Sequence, residues 1–214
     1  MPEQILPSPV APPWPAAPHG RGAMRERLRR STATLHRRAE AAMALESRLA
    51  SAESYRLLLC RLTGLHRPLE AALARIDWRG TGIDIAARRK CRWLEADLRD
   101  LGTADTSLAV IPSCPFLPRL DTAAAGLGAL YVSEGASLGG RIVLRRASQR
   151  LGMDAGRGGR FFTGYGTATG VMWRACVTAL DTLDWRSPAA DEAQAAARAM
   201  FMAFEAWLSM PRSS

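Results

Sequence analysis

Apolar residues recur every three or four positions along most of the chain, the pattern of amphipathic helices rather than strands. Leu28, Thr32, Leu35, Ala39 and Ala42 line one face of a first helix predicted from Met24 to about Leu45. Ser51 is placed to cap a second, which carries Tyr55, Leu58, Leu59, Leu62, Leu65 and Leu69. Pro68 lacks an amide hydrogen and is expected to kink that helix or begin a new one. Asp84 is expected to cap a further helix bearing Ala87, Cys91, Leu94, Leu98 and Leu101, stopped by Gly102. Gly102–Arg119 then reads as loop. A long helical pattern runs from Thr122 to Gln149 through Leu127, Leu130, Tyr131, Glu134, Leu138 and Ile142, and Gly152 ends it. Gly156 to Gly170 is rich in glycine and irregular. Trp173, Cys176, Val177, Leu180 and Leu183 share a helix face. Ser187 and Pro188 suit the cap and first position of a last helix, with Ala193, Ala197, Met200, Phe204 and Trp207. No alternation of period two persists and no repeat is visible. The fold predicted is a single all-α domain of about six to eight helices.

Composition supports this reading over residues 23–214 and separates one segment from it. The chain has 214 residues, 48% hydrophobic and 23% charged, enough to bury a sizeable core. Met1–Gly22 holds seven of the 13 prolines and is expected to be a flexible tail or an over-called start, with Met24 near the beginning of the folded domain. No stretch approaches the roughly 18 consecutive apolar residues of a membrane span, and the first twenty residues lack the pattern of a secretory signal. Cys60, Cys91, Cys114 and Cys176 are widely spaced and form no C-x-x-C pair, which fits a reduced, cytoplasmic protein. The net charge of +9 is spread over the chain. It suits an anionic ligand, an acidic protein partner or, on charge alone, nucleic acid.

Two local features point to chemistry. Gly126, Gly128, Gly135, Gly139 and Gly140 occupy interior positions of the long helix, and each costs about 0.8–1.0 kcal/mol relative to alanine. Gly128, Gly135 and Gly139, spaced by seven and four, lie on nearly one face. Such a stripe admits either a flat ligand or a closely packed helix. On the first helix, His36 and Glu40 are one turn apart, so a carboxylate can hold the second imidazole N–H of a metal-binding histidine. Arg29 lies about 10 Å along the same face. Of the other histidines, His19 is in the tail and His66 is on an apolar face, so a zinc site with three or four protein ligands is not expected. A prosthetic group that brings its own ligands needs only His36.

Three blocks of sequence resemble the heme oxygenases, most closely the bacterial branch associated with bacteriophytochromes. They are Leu28-Arg29-Arg30-Ser31-Thr32 through His36-Arg37-Arg38-Ala39-Glu40; Tyr131-Val132-Ser133-Glu134-Gly135-Ala136-Ser137-Leu138-Gly139-Gly140; and Phe161-Phe162-Thr163-Gly164-Tyr165-Gly166 followed by Trp173. The likeness extends from about Met24 to Trp207. It implies a helical bundle holding heme between the first helix and a glycine-rich distal helix. In that family pattern His36 matches the proximal heme ligand and Glu40 the residue that orients it. Gly135, Gly139 and Gly140 match the distal helix, Arg29 and Arg174 match basic positions that bind heme propionates, and Tyr131 lies near a tyrosine that joins them. The implied reaction opens heme, cofactor and substrate at once, to biliverdin with release of carbon monoxide and ferrous iron. It uses O2 and electrons from an external ferredoxin or NAD(P)H-dependent reductase, since no dinucleotide fingerprint is present here. The resemblance favours attack at the α-meso carbon and a bacteriophytochrome as biliverdin acceptor, with neither nucleic acid nor membrane as partner. Relatives often carry Ser or Asp after the glycine matching Gly135, where this chain has Ala136, and that departure keeps open a heme sensor or carrier that does not degrade its ligand.

Overall fold

Ser51, Thr122 and Ser187 each accept a hydrogen bond from the backbone N–H three residues on, at 3.0, 3.1 and 3.2 Å. They thereby start the three longest helices where the sequence predicts, each cap contributing about 0.5–2 kcal/mol. The computed structural model describes residues 22–211. Its elements are α1 (Ala23–Met43), α2 (Leu45–Arg48), α3 (Ala52–Leu73), α4 (Cys91–Asp100), α5 (Asp105–Ala109), α6 (Ala123–Leu151), α7 (Arg160–Thr163), α8 (Thr169–Leu180) and α9 (Pro188–Ser209), with 3-10 turns at Ala86–Arg88 and Gly166–Ala168. Among the described residues the only β pairing is a pair of isolated bridges from Asp154 to Arg157 and to Gly158. The all-α expectation holds, with six helices of ten or more residues. The expected tail, Met1–Gly22, lies outside the described residues except for Gly22.

Four local expectations change. The first helix ends at Met43, because Ala44 adopts a left-handed conformation (φ 43°) and starts the short α2. α3 runs unbroken through Pro68. The carbonyl that this proline cannot bond, that of Gly64, instead accepts from the Cys114 N–H at 2.8 Å, so the missing hydrogen becomes a docking point for the following loop. Only glycine permits the approach, since a Cβ on Gly64 would lie 2.3 Å from the Pro112 carbonyl oxygen. Asp84 caps only the 3-10 turn, through the amides of Ala86 and Ala87. α4 begins later and takes its cap from α3, where one oxygen of Glu70 accepts from both Lys90 N–H (2.5 Å) and Cys91 N–H (2.8 Å). The loop predicted between Gly102 and Arg119 contains α5, and the irregular Gly156–Gly170 stretch contains α7.

α9 is the central support, packed against both α1 and α6, while α8 and α7 pack on α6 and α3 packs on α4. α1 and α6 touch each other only marginally. Leucines and alanines fill the core: Leu28, Leu58, Leu59, Leu94, Leu98, Ala193 and Ala197 are all fully buried.

Candidate functional site

α1 and α6, each packed on α9, approach each other at two places. At one end Thr32 of α1 lies near enough to the Tyr131 hydroxyl of α6 to lower its pKa. At the other, Glu46, just beyond α1, pairs with Arg146 (3.7 Å) and Arg150 (2.5 Å) of α6. The span of α1 and α6 between these two places, with α9 packed against both helices, is termed the window. His36 and Glu40 stand on the α1 side, Gly135, Ala136, Gly139 and Ile142 on the α6 side. His36 is half exposed. Its ring meets Phe201 of α9 edge to face, centroids 5.6 Å apart. His36 Nδ1 is 3.6 Å from a Glu40 carboxylate oxygen, an approach longer than a hydrogen bond that orients this nitrogen toward the acid.

The glycines of α6 divide by what surrounds them. A Cβ on Gly128 would sit 2.0 Å from the Ala193 carbonyl oxygen of α9, and one on Gly126 would collide with Ile76 and Trp78. Gly140, grouped by sequence with the ligand-facing set, is buried; its Cβ would lie 2.4 Å from the Phe162 carbonyl oxygen of α7. Gly140 therefore turns its Cβ direction to helix packing, one residue around the helix from the exposed face. Gly135 is intermediate, with the Trp173 ring 3.6 Å from a Cβ position. Gly139 alone among these faces open space, with nothing within 4 Å. Ile142, one turn on, is 52% exposed.

The remaining predicted residues gather at the Thr32 end of the window, except one. Arg29 forms a two-pronged pair with Glu26 at 2.7 Å through both prongs and lies close enough to Tyr131 to interact with it electrostatically. Tyr131 is buried, which pushes its hydroxyl up to about 12, and it stacks obliquely on Trp173 at 5.5 Å. Arg174, next to Trp173 on α8, is exposed and lies beside Gly170, outside the Arg29–Tyr131 group. Ser137 faces away from Ala136: its hydroxyl donates to the Ser133 carbonyl (3.1 Å) and accepts from Lys90 Nζ (2.7 Å).

That last contact belongs to a buried ionic cluster which sequence reasoning missed. Glu134, 1% exposed, lies 3.4 Å from Lys90 Nζ and 3.4 Å from Arg88 Nη1, both nearly as buried. The Tyr165 hydroxyl donates to Glu134 at 2.8 Å. Lys90 Nζ also donates to the Ser133 carbonyl at 2.7 Å, and Arg88 Nη2 donates to the Met172 carbonyl at 3.2 Å. Burial lowers the Lys90 pKa while Glu134 opposes the fall, and burial raises that of Tyr165. The available signal was a carboxylate on the apolar face of the long helix, at Glu134 between Tyr131 and Leu138. Its cationic partners were unreadable, since they come from a turn more than forty residues away.

His66, the competing histidine, is buried against Phe161, and burial holds its pKa down to about 3. Among the described residues no three His, Cys, Asp or Glu side chains gather as a metal site, and no helix is long and apolar enough to cross a membrane. Two surface depressions lie elsewhere, one lined by Pro68, Cys114 and Leu120 and one by Arg27, Arg30 and Trp185; neither contains a histidine.

Residues 23–210 match the family model described as heme oxygenase. The fold is that of two solved bacterial proteins. The heme oxygenase of Neisseria meningitidis, known in NO- and CO-bound crystal structures, is 23% identical over 86% of this chain and 89% of its own, with a TM-score of 0.72. That of Leptospira interrogans is 18% identical over 87% and 98%, with a TM-score of 0.70. No match is found among curated protein sequences.

Proposed function

The chain belongs to the heme oxygenase family, and from that premise we propose that it converts heme to biliverdin, carbon monoxide and ferrous iron with O2 and electrons from a separate ferredoxin or reductase. The single observation that carries this reading is the window itself. A half-exposed His36 oriented by Glu40 stands on one helix, and Gly139, with nothing within 4 Å of its Cβ position, stands on the other.

The residues present fit a flat prosthetic group. His36 would supply the axial nitrogen to iron, and Gly135 and Gly139 would let the group lie against bare backbone. Arg29 and Tyr131 would hold its carboxylates, Arg29 sharing its guanidinium with Glu26; Arg174 is a further candidate from α8. Heme itself supplies the redox iron and the macrocycle that is opened. The chain's own contribution on the α6 side is to place no ionisable side chain at Gly135, Ala136 or Gly139, so proton delivery falls to water held by backbone groups. Four unpaired cysteines support a reducing, cytoplasmic setting. The exposed arginines Arg37, Arg141, Arg145 and Arg146 beside the window suit an acidic electron donor. A bacteriophytochrome remains the proposed acceptor of the product.

A second reading, a heme sensor or carrier, is favoured by one observation. Ala136 is exposed on the window side where it offers no polar group, and Ser137 is turned into the buried cluster and cannot replace one. Adding hemin, then ascorbate or ferredoxin with reductase, separates the two. Loss of the Soret band with growth of a broad red absorption is the outcome expected of the oxygenase. A persistent reduced-heme spectrum would establish the carrier instead.

A further inference from the structure

The Gly135–Gly139 segment lies on the α6 side of the window, where Gly135, Ala136 and Gly139 offer nothing larger than a methyl group to stiffen it. What fixes it lies on the opposite side of α6. Lys90, the only lysine of the chain, is buried with its ammonium 2.7 Å from two groups of that helix, the Ser133 carbonyl and the Ser137 hydroxyl. These flank Gly135. The Ser137 hydroxyl also donates to the same Ser133 carbonyl, so one helical turn is stapled by three groups. The cation is held in place by Glu134 of the same turn, which Arg88 and Tyr165 secure from two other elements. Burying a charge is costly without strong compensation, and three groups of α6, the Ser133 carbonyl, the Ser137 hydroxyl and the Glu134 carboxylate, converge here to provide it. Arg88 Nε and Nη1 are buried without a hydrogen bond, Nη1 keeping only its ion pair to Glu134.

We propose that Lys90 is a positioning residue for heme turnover: through Ser133 and Ser137 it clamps the turn of α6 that contains Gly135 and so holds the Gly135–Gly139 backbone in place. This rests on the heme oxygenase reading for its consequence in catalysis, but the clamp itself is a property of the free protein. A flexible glycine wall would still admit heme, because His36 lies on the other helix. It would lose the fixed distance from backbone to ligand on which turnover depends. Lys90 touches no reacting atom in this account.

The test uses the full chain and the variants Lys90→Met, Lys90→Arg and Ser137→Ala. Amide hydrogen exchange in the heme-free protein should accelerate at least tenfold in Lys90→Met, confined to residues 133–140, with helix content by circular dichroism unchanged. Hemin affinity should stay within threefold while single-turnover heme decay falls at least fivefold. Lys90→Arg, which keeps charge and donors, should lie nearer wild type in both measurements. Unchanged exchange in residues 133–140, or accelerated exchange with undiminished heme decay, overturns the proposal. If Lys90→Met does not fold, Ser137→Ala decides: it removes one of the two gripped groups and leaves the charges paired, and unchanged exchange there overturns the clamp. If the wild-type protein itself fails to degrade hemin, the enzymatic reading fails and the proposed role in turnover with it. The exchange measurement still shows separately whether the clamp exists.

Discussion

Two sets of positions on α6 obey opposite rules. Where the helix meets α9 and α7, Gly128 and Gly140 are glycines because a neighbouring backbone occupies the space a methyl group would need, and Glu134 is tolerated because two cations and a hydroxyl surround it. On the window side, Gly139 is a glycine with empty space beside it. A residue type that costs helix stability wherever it occurs is thus offset by packing in one set. In the other no contact among the described residues offsets it, and that is why we propose Gly139 for a ligand's place.

The largest expected effect comes from the packed side. Glu134→Gln leaves Lys90 and Arg88 buried without a counter-charge and should lower unfolding free energy by about 3–5 kcal/mol, read from the urea midpoint. A loss below about 1 kcal/mol would mean that solvent reaches the cluster and that the contrast between the sides is weak. Gly128→Ala forces α6 from α9 and should cost about 1–3 kcal/mol without heme, seen as a lower melting temperature.

Acid sensitivity sharpens the same contrast through the two histidines. His66 stays neutral in the fold, its pKa held to about 3 by burial, whereas an unfolded imidazole titrates near ~6.5. Below about 6.5 the unfolded chain binds the extra proton, so this residue's contribution to stability is intact at neutral pH and declines as pH falls toward 3. Wild type should lose more stability than His66→Leu between pH 7 and pH 4.5, by about 1 kcal/mol or more. Equal losses in denaturant titrations at the two pH values would place His66 in contact with water.

The smaller effects on stability belong to the window, where function should change instead. Gly139→Ala should stabilise the heme-free protein by about 0.8–1.0 kcal/mol while slowing single-turnover heme decay. A destabilised apo protein with normal turnover would return Gly139 to the packing class and remove the distinction between the sides. His36→Ala should shift stability by no more than about 0.5 kcal/mol, yet abolish the imidazole-ligated hemin spectrum, with added imidazole restoring part of it. An unchanged spectrum would move the ligand elsewhere, with His66 next in line.

Much of the fold was legible because its signals are local. Helical period, the Ser51, Thr122 and Ser187 caps and the left-handed Gly152 stop depend on residues at most four apart, and all of them stand. Pro68 begins no new helix, and what becomes of the carbonyl it leaves free was settled at a distance, by Cys114 taking the Gly64 carbonyl. Asp84 was misread because α4 takes its cap from Glu70 on another helix.

The candidate site divides in the same way. The sequence by itself determined that α6 carries glycines that helix propensity disfavours, that His36 and Glu40 share a face, and that a carboxylate sits among leucines at Glu134. Only the tertiary structure decided which glycines are filled by a neighbouring backbone and which face a window. Only it brought Arg88 and Lys90 to Glu134 and set Lys90 against Ser137. The reason is range. Propensity and periodicity are sums over one helix turn, whereas whether a Cβ has room, or a buried charge has a partner, depends on chain brought in from tens of residues away.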